Sequence, residues 1–311
     1  MDKYKLAVLL AVRNWSERLP GKAMAELCGR PVLAHILDRY RLASDRARYV
    51  VVATSTLPAD DPIAALCRDE GVPCHRSAAS VDGNVTRLLD EALHKYADDA
   101  DYVLRGMCDC PLAEPSIICD WMTDVLQARG GDVVWVGLPD DPWPIYGARE
   151  SPFSRAAWDR CVQESRGRQL QHPGLYVYEK LCDFRVIHTQ PLRYEYYRPY
   201  RLELDTDADL RVTCAVYEAL WQGPGHVISM LEGIKWLDAH PEVAALNVDV
   251  ELKSITVPEW KRRGAIWSCK ECGASPMETR SIRHGRLETV CFRCGASRFF
   301  ELKEYRQERT E

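Results

Sequence analysis

The sequence predicts an α/β fold, with a doubly wound, mostly parallel Rossmann-like sheet followed by a small C-terminal module of a different kind. Three observations predict it. Short β-rich runs alternate with helical patterns through the first half, the mark of parallel strands joined by crossover helices. The chain has 311 residues, 46% hydrophobic and 28% charged, enough for one large core with a small satellite and too apolar for wholesale disorder. The last four of its 13 cysteines form two Cys-x-x-Cys pairs, Cys269/Cys272 and Cys291/Cys294.

The elements follow in order. Lys5 to Ala11 reads as a buried strand, and Pro31 to Leu42 as a helix opened by proline, with Val32, Leu33, Ile36 and Tyr40 on one face. Tyr49 to Ala53 is a second strand, Asp61 to Asp69 a short helix, Asn84 to Tyr96 a longer one, and Asp101 to Arg105 a strand. Helix Glu114 to Ala128 and strand Asp132 to Val136 continue the alternation. It then loosens into the proline-rich stretch Leu138 to Ile145, a helix around Ser154 to Glu164 and a β segment near Leu175 to Tyr178. Such an excursion late in an α/β domain commonly covers a crevice at the strand ends. Tyr200 to Leu204 reads as a returning strand, followed by helices Asp209 to Leu220 and Val227 to Ala239. The expected division is a main domain over 1–240, a linker over 241–265 and the small module over 266–311.

Composition narrows the function class. No stretch approaches the roughly 20 apolar residues of a membrane helix, so no membrane partner is expected. The run Leu6 to Val12 is followed at once by Arg13, Arg18 and Lys22 with no small-residue cleavage site, so no export signal is read there. The nine cysteines before residue 215 lie among apolar neighbours, as reduced core thiols would, and a cytoplasmic location is the expectation. Residues 261–311 carry 12 Lys+Arg against 7 Asp+Glu, while residues 1–260 carry 29 against 39. The tail is mildly basic and the body acidic.

The stretch from Ala11 to Lys22 holds three cations, Ser16 and the turn Pro20-Gly21 directly after the first strand. Charge alone leaves two readings open, a polyphosphate cradle and a solvated basic loop, and favours the second.

The order of motifs reverses that preference. Arg13-x-x-Ser16-x-Arg18-Leu19-Pro20-Gly21-Lys22 resembles the opening motif of cytidylyltransferases that activate acid sugars, the acylneuraminate and 3-deoxy-octulosonate type. The resemblance continues through Leu27-Cys-Gly29-Arg-Pro31-Val-Leu33, Val50 to Ser55, Asp60 to Ile63, Gly83 to Arg87 and Arg105 to Leu112, and covers about residues 5–221. Leu202 to Thr206 and His172 to Tyr176 are similar to the spore-coat polysaccharide branch. Three positions depart from the pattern: Trp15 stands where many members have glycine, Cys108 precedes the acidic Asp109, and Asp207 replaces a proline.

The resemblance implies CMP transfer from CTP to an acidic sugar or related acceptor. An acceptor oxygen attacks the α-phosphorus and pyrophosphate leaves. It implies catalytic roles for Arg13, Arg18, Lys22, Asp109 and Asp205, with Mg²⁺ held by Asp109 and Asp205. Nucleotide binding would draw on Arg13, Ser16, Arg18, Lys22, Asn84, Arg87 and Asp109, and acceptor binding on Arg105 and His172. Read without the resemblance, Asp205-Thr206 is also a helix cap, Asn84 an N-cap, Arg87 a solvated side chain and His172 a structural residue. Two rival functions stay open: a transferase for another triphosphate or a phosphonate acceptor, and an inactive nucleotide-binding adaptor.

The two cysteine pairs are separated by 18 residues and each is followed by glycine, the spacing of a four-cysteine zinc ribbon. Zn²⁺ on Cys269, Cys272, Cys291 and Cys294 would be structural, since about fifty residues build little core of their own. Protein contact ranks ahead of nucleic acid as the ribbon's use, with homodimer formation also open.

Overall fold

The computed structural model describes residues 4–15, 18–136, 144–190, 192–198 and 200–250, and the backbone of 278–283, 286–290 and 297–301. Strand β1 (Leu6–Ala11) is apolar throughout because both of its faces are covered. Leu6, Val8 and Leu10 enter one core, Ala7 and Leu9 the other. Each buried leucine contributes on the order of 2 kcal/mol.

After a small hairpin, β2 (Glu26–Leu27) and β3 (Arg30–Pro31), helix α1 (Val32–Leu42) packs Val32, Leu33, Ile36, Leu37 and Tyr40 against the first core. Strand β4 (Ala47–Thr54) lies parallel to β1, and helix α2 (Asp61–Asp69) leads to the parallel edge strand β5 (Cys74–Arg76). Helix α3 (Val85–Tyr96) then carries the chain to β6 (Tyr102–Arg105), parallel to β1 on its other side. A π-helical turn at Ser116–Trp121 opens α4 (Met122–Arg129), followed by β7 (Val133–Val136), β8 (Phe153–Ser154), α5 (Arg155–Glu164), α6 (Arg168–Gln171), α7 (Leu175–Glu179) and β9 (Val186–Thr189). Helices α8 (Asp207–Leu220), α9 (Met230–Ala239) and α10 (Pro241–Ala244) close the body.

The sheet order is β5-β4-β1-β6-β8-β7-β9. Only the short β8 is antiparallel to its neighbours, so the expected mostly parallel α/β sheet is present. Winding proceeds outward from β1 to β5, then reverses to β6. That reversal lies between β1 and β6, and the crevice beyond their C-terminal ends is where open α/β sheets bind ligands.

Four expectations are corrected. Leu175–Tyr178 is the helix α7, because Gly174 at φ 87° opens a helical turn and Leu175, Tyr176 and Val177 are all buried. An alternating spelling reads as a strand only where alternate residues face different environments. The segment 200–204 belongs to no sheet; its backbone contact is Leu204 N–H donating to Asp109 O at 2.6 Å. The body runs beyond residue 240, because α10 and the turn Ala245–Asn247 continue it and Asn247 is buried. Of the nine described cysteines, all unpaired, only Cys67, Cys110, Cys119 and Cys161 are fully buried core thiols.

In the tail, β10 (Glu278–Arg283), β11 (Arg286–Val290) and β12 (Ser297–Glu301) form an antiparallel sheet in that order. Cys269, Cys272, Cys291 and Cys294 lie outside the described residues. No described helix is long and apolar enough to cross a membrane.

Candidate active site

The loop after β1 is tied down by its own backbone. Gly21 N–H donates to Asn14 O at 2.8 Å, with Gly21 in the left-handed region at φ 75°, where a side chain is disfavoured. Asn14 N–H in turn donates to Asp60 Oδ1 at 2.7 Å, and buried Asp60 also accepts from Ser55 Oγ. The cationic stretch is therefore closed at its base and anchored to the loop after β4. Lys22 starts the turn that follows and directs its ammonium inward.

The loop after β6 is held as firmly. Gly106 passes so close to β1 that an added methyl would come within 2.7 Å of Leu10 and 2.8 Å of Val8. Met107 N–H donates to Tyr40 Oη at 2.9 Å, and Cys108 Sγ to Ala11 O at 2.9 Å. Tyr217 Oη on α8 donates to Pro111 O at 2.8 Å. Asp109 thus emerges beside the β1 loop. Leu204, bonded to the Asp109 carbonyl, brings the segment 201–206 across the crevice.

These three segments meet at one cluster. Lys22 Nζ lies 3.0 Å from Asp205 Oδ1, 3.7 Å from Asp109 Oδ2 and 3.1 Å from Leu204 O. Arg18 reaches Asp205 Oδ2 at 2.7 Å, and Arg201 reaches the same oxygen at 2.9 Å. The side chains of Lys22 and Asp205 are 14% and 12% exposed, so these charges interact through little water. Burial raises the Asp205 carboxyl, but Lys22, Arg18 and Arg201 outweigh it and leave it below the ordinary carboxylate value. Burial works against the Lys22 ammonium too, and Asp109, Cys108 and Asp205 hold it above its usual value.

Thr206, not Asp205, caps α8. Its side chain accepts from Asp209 N–H while Asp209 Oδ2 accepts from Thr206 N–H at 2.9 Å, a reciprocal capping box. The capping role open to Asp205 in the sequence is taken by its neighbour, and the Asp205 side chain is left to face the cations.

The other expected site residues that are described have partners of their own. The Arg13 guanidinium stacks 4.3 Å above the Trp15 ring. Ser16 lies outside the described residues. Asn84 accepts from Arg87 N–H at 3.0 Å as the N-cap of α3, and Arg87, 69% exposed, pairs with Glu91 at 2.8 Å. Neither has a contact with the carboxylate cluster among the described residues. Arg105 is half-buried; burial disfavours its charge, which Tyr146, Asp109, Cys108 and Glu150 favour. His172 is half-buried, and burial with the positive charges of Arg105 and Arg168 pushes its imidazole down, so it is neutral near pH 7. The two acceptor candidates therefore share one electrostatic neighbourhood.

Sequence reasoning missed the groups that hold Asp205. Arg201 donates to Glu203 Oε2 at 3.1 Å, Asp205 Oδ2 at 2.9 Å and Asp209 Oδ1 at 2.9 Å. Burial raises the Glu203 carboxyl, opposed by Arg201 and reinforced by Asp109 and Asp205. The available signal was the alternation Arg201-x-Glu203-x-Asp205, which puts three charged side chains on one side of an extended segment.

A divalent cation fits the pair Asp109 and Asp205 on one observation: both carboxylates already converge on a single cationic atom, Lys22 Nζ. Among the described residues no group of three or more His, Cys, Asp and Glu side chains forms a metal site. Two carboxylates are nonetheless a familiar protein share for a magnesium-type ion whose other ligands are phosphate and water.

Comparison with known proteins agrees with this architecture. A 3-deoxy-manno-octulosonate cytidylyltransferase of Anaeromyxobacter dehalogenans is 37% identical over 114 residues, covering 36% of this chain and 44% of that one. The enzyme of that name from Geobacter sulfurreducens is 27% identical over 259 residues, covering 74% of this chain and 99% of that one. The chain thus spans just under half the length of the first relatives it matches. A solved cytidylyltransferase from Leptospira borgpetersenii shares the fold with a TM-score of 0.67 at 21% identity, covering 81% of this chain and 100% of that one. The family described as MobA-like NTP transferase domain matches residues 16–175, just over half of the sequence, and the chain belongs to that family.

Proposed function

We propose that this protein is a cytidylyltransferase that transfers CMP from CTP to an acidic sugar or related acceptor and releases pyrophosphate. The observation that carries the reading is the convergence of Asp109 and Asp205 on Lys22, with Arg18 beside them, at the switch-point crevice. The cytidylyltransferase relatives supply the expected base and acceptor class.

The reaction builds negative charge on a triphosphate, so its residues must bind polyanion and neutralise a leaving group. In the free protein Arg18 and Lys22 pair with Asp205, and Lys22 also faces Asp109. A triphosphate offers them stronger partners, and they turn to its leaving pyrophosphate, uncovering both carboxylates. Asp109 and Asp205 would hold a divalent cation, Mg²⁺ in our reading, which would offset charge at the reacting phosphate. Arg13, released from Trp15, adds a further positive charge. Neutral His172, within the electrostatic reach of Arg105, would accept a proton from an acceptor whose carboxylate Arg105 would hold.

For the tail we propose a structural zinc ribbon on Cys269, Cys272, Cys291 and Cys294. Support comes from the antiparallel sheet. Glu278, which follows the first pair, and Ser297, which follows the second, both neighbour Val290, so the two pairs are joined in sequence to one end of the sheet.

The test is thermal stabilisation by each of the four triphosphates with Mg²⁺, followed by pyrophosphate release across a panel of acid sugars and phosphonates. The largest shift is expected with CTP, and release with an acid sugar. Equal shifts for all four would remove the base assignment. CTP binding with no release from any acceptor would favour the adaptor.

A further inference from the structure

Besides Lys22 and Arg18, two supports hold Asp205, one at its backbone and one at its side chain, and both lead to Asp209. Asp209 Oδ2 accepts from Asp205 N–H at 3.1 Å and so fixes the backbone. Its Oδ1 accepts from Arg201 Nε at 2.9 Å, and Arg201 in turn holds Asp205 Oδ2. A third donor closes this arrangement. Asn247 Nδ2 donates to Asp209 Oδ1 at 2.9 Å and to the Arg201 carbonyl at 3.0 Å. Asn247 is only 4% exposed, and both partners are acceptors, so the amide nitrogen must face them.

We infer that Asn247 is a positioning residue for the Asp205 carboxylate, contributed by a segment far beyond the region that matches the family. The argument is one of unmet bonding. Asp209 Oδ1 takes both Arg201 and Asn247, and without the amide the oxygen and the Arg201 carbonyl each lose a buried partner. The guanidinium is then free to follow Glu203 or Asp205, and the angle between the carboxylates of Asp109 and Asp205 relaxes. Outer groups of this kind orient carboxylates that ligate metals, and their loss costs about 10–100-fold in metal affinity. An aspartate at 247 would be worse than an alanine, because it sets a second carboxylate against Asp209 in a buried place.

The inference rests on the reading of Asp109 and Asp205 as a cation site, so the experiment separates the two. Mn²⁺ binding to the full-length protein is followed by its paramagnetic resonance signal with CTP present, and CTP binding is measured separately in EDTA. Asn247→Ala is expected to weaken Mn²⁺ binding about 10-fold and Asn247→Asp about 100-fold, with metal-free CTP binding within about twofold of wild type. A merely structural role would move both affinities together or neither, and either result overturns the inference. Asn247→Ala adds no charge, and its melting curve establishes that the variant is folded if Asn247→Asp is not. Failure of the wild-type protein to bind Mn²⁺ with CTP would overturn the cation reading and the inference with it. Wild-type binding with two unaffected variants would overturn the inference alone.

Discussion

The two sides of the crevice are built differently. On one side the loops after β1 and β6 are continuous segments, each pinned by backbone contacts and by a glycine that no other residue replaces freely. On the other, residues 201–209 form no strand and owe their shape to a charge network, Arg201 with Glu203, Asp205 and Asp209, closed by Asn247. The first side presents cations and one carboxylate from a stiff sheet edge. The second presents its carboxylate from an arm restrained by one backbone bond, Leu204 to Asp109, and otherwise by side-chain bonds. In the proposed reaction the first half would grip the triphosphate and the second would adjust to admit a cation.

The largest expected effects fall where the two sides meet. Asp205→Asn keeps the size of the side chain but removes its charge, and turnover should fall by on the order of 10²–10³-fold in a pyrophosphate-release assay. Lys22→Met should lose turnover to a similar extent. It should also bind Mn²⁺ more tightly than wild type when no nucleotide is present, because the resident ammonium no longer competes. Weaker metal binding by Lys22→Met would break the exchange of partners proposed for that lysine.

Acid gives a smaller effect that sharpens the contrast. Because the Asp205 carboxyl is lowered in the folded protein, its contribution to stability is present above the unfolded value of about 4 and is lost as pH falls through the folded value. Denaturant unfolding of wild type and Asp205→Asn should therefore differ most near neutrality and converge below about pH 4. A difference that stays constant down to pH 2.5 or so would mean that the folded carboxyl is not lowered.

The smallest effects are expected at two residues that the motif resemblance placed with the nucleotide. Asn84→Ala should cost about 1 kcal/mol of stability as a lost helix cap. Arg87→Ala should cost about 0.5 kcal/mol or less, since Arg87 is largely exposed and its partner Glu91 is a neighbour on the same helix. Both should leave the KM for CTP within about twofold. A larger rise in KM for either would return that residue to the nucleotide site.

How much of this was legible in the sequence follows from the same contrast. Strands β1, β4, β6 and β7, helices α1 to α3, the cation-rich loop and Asp109 were readable because each is specified by a short contiguous pattern: an apolar run, a helix period, a Pro-Gly turn; the short β5, β8 and β9 were not. Asp61–Asp69 appears as the helix expected at that place. Asp205 was readable as a residue, but the strand assigned to Tyr200–Leu204 was not, because a charged arm and an edge strand spell alike. Arg201 left only the alternation with Glu203 and Asp205 as a sign, and Asn247 left none, since its role exists only once residues some 46 apart are brought together. Asn84 and Arg87 carried the opposite lesson. A motif position and a helix cap can be the same residue, and here the geometry favours the cap.

The most direct measurement loads Fe²⁺ and CTP onto the full-length protein and maps where locally generated hydroxyl radicals cut the backbone. Two cuts are predicted, one beside Asp109 and one beside Asp205, both suppressed by excess Mg²⁺. Cutting at one of them alone, or at neither, would contradict the shared cation on which the account depends.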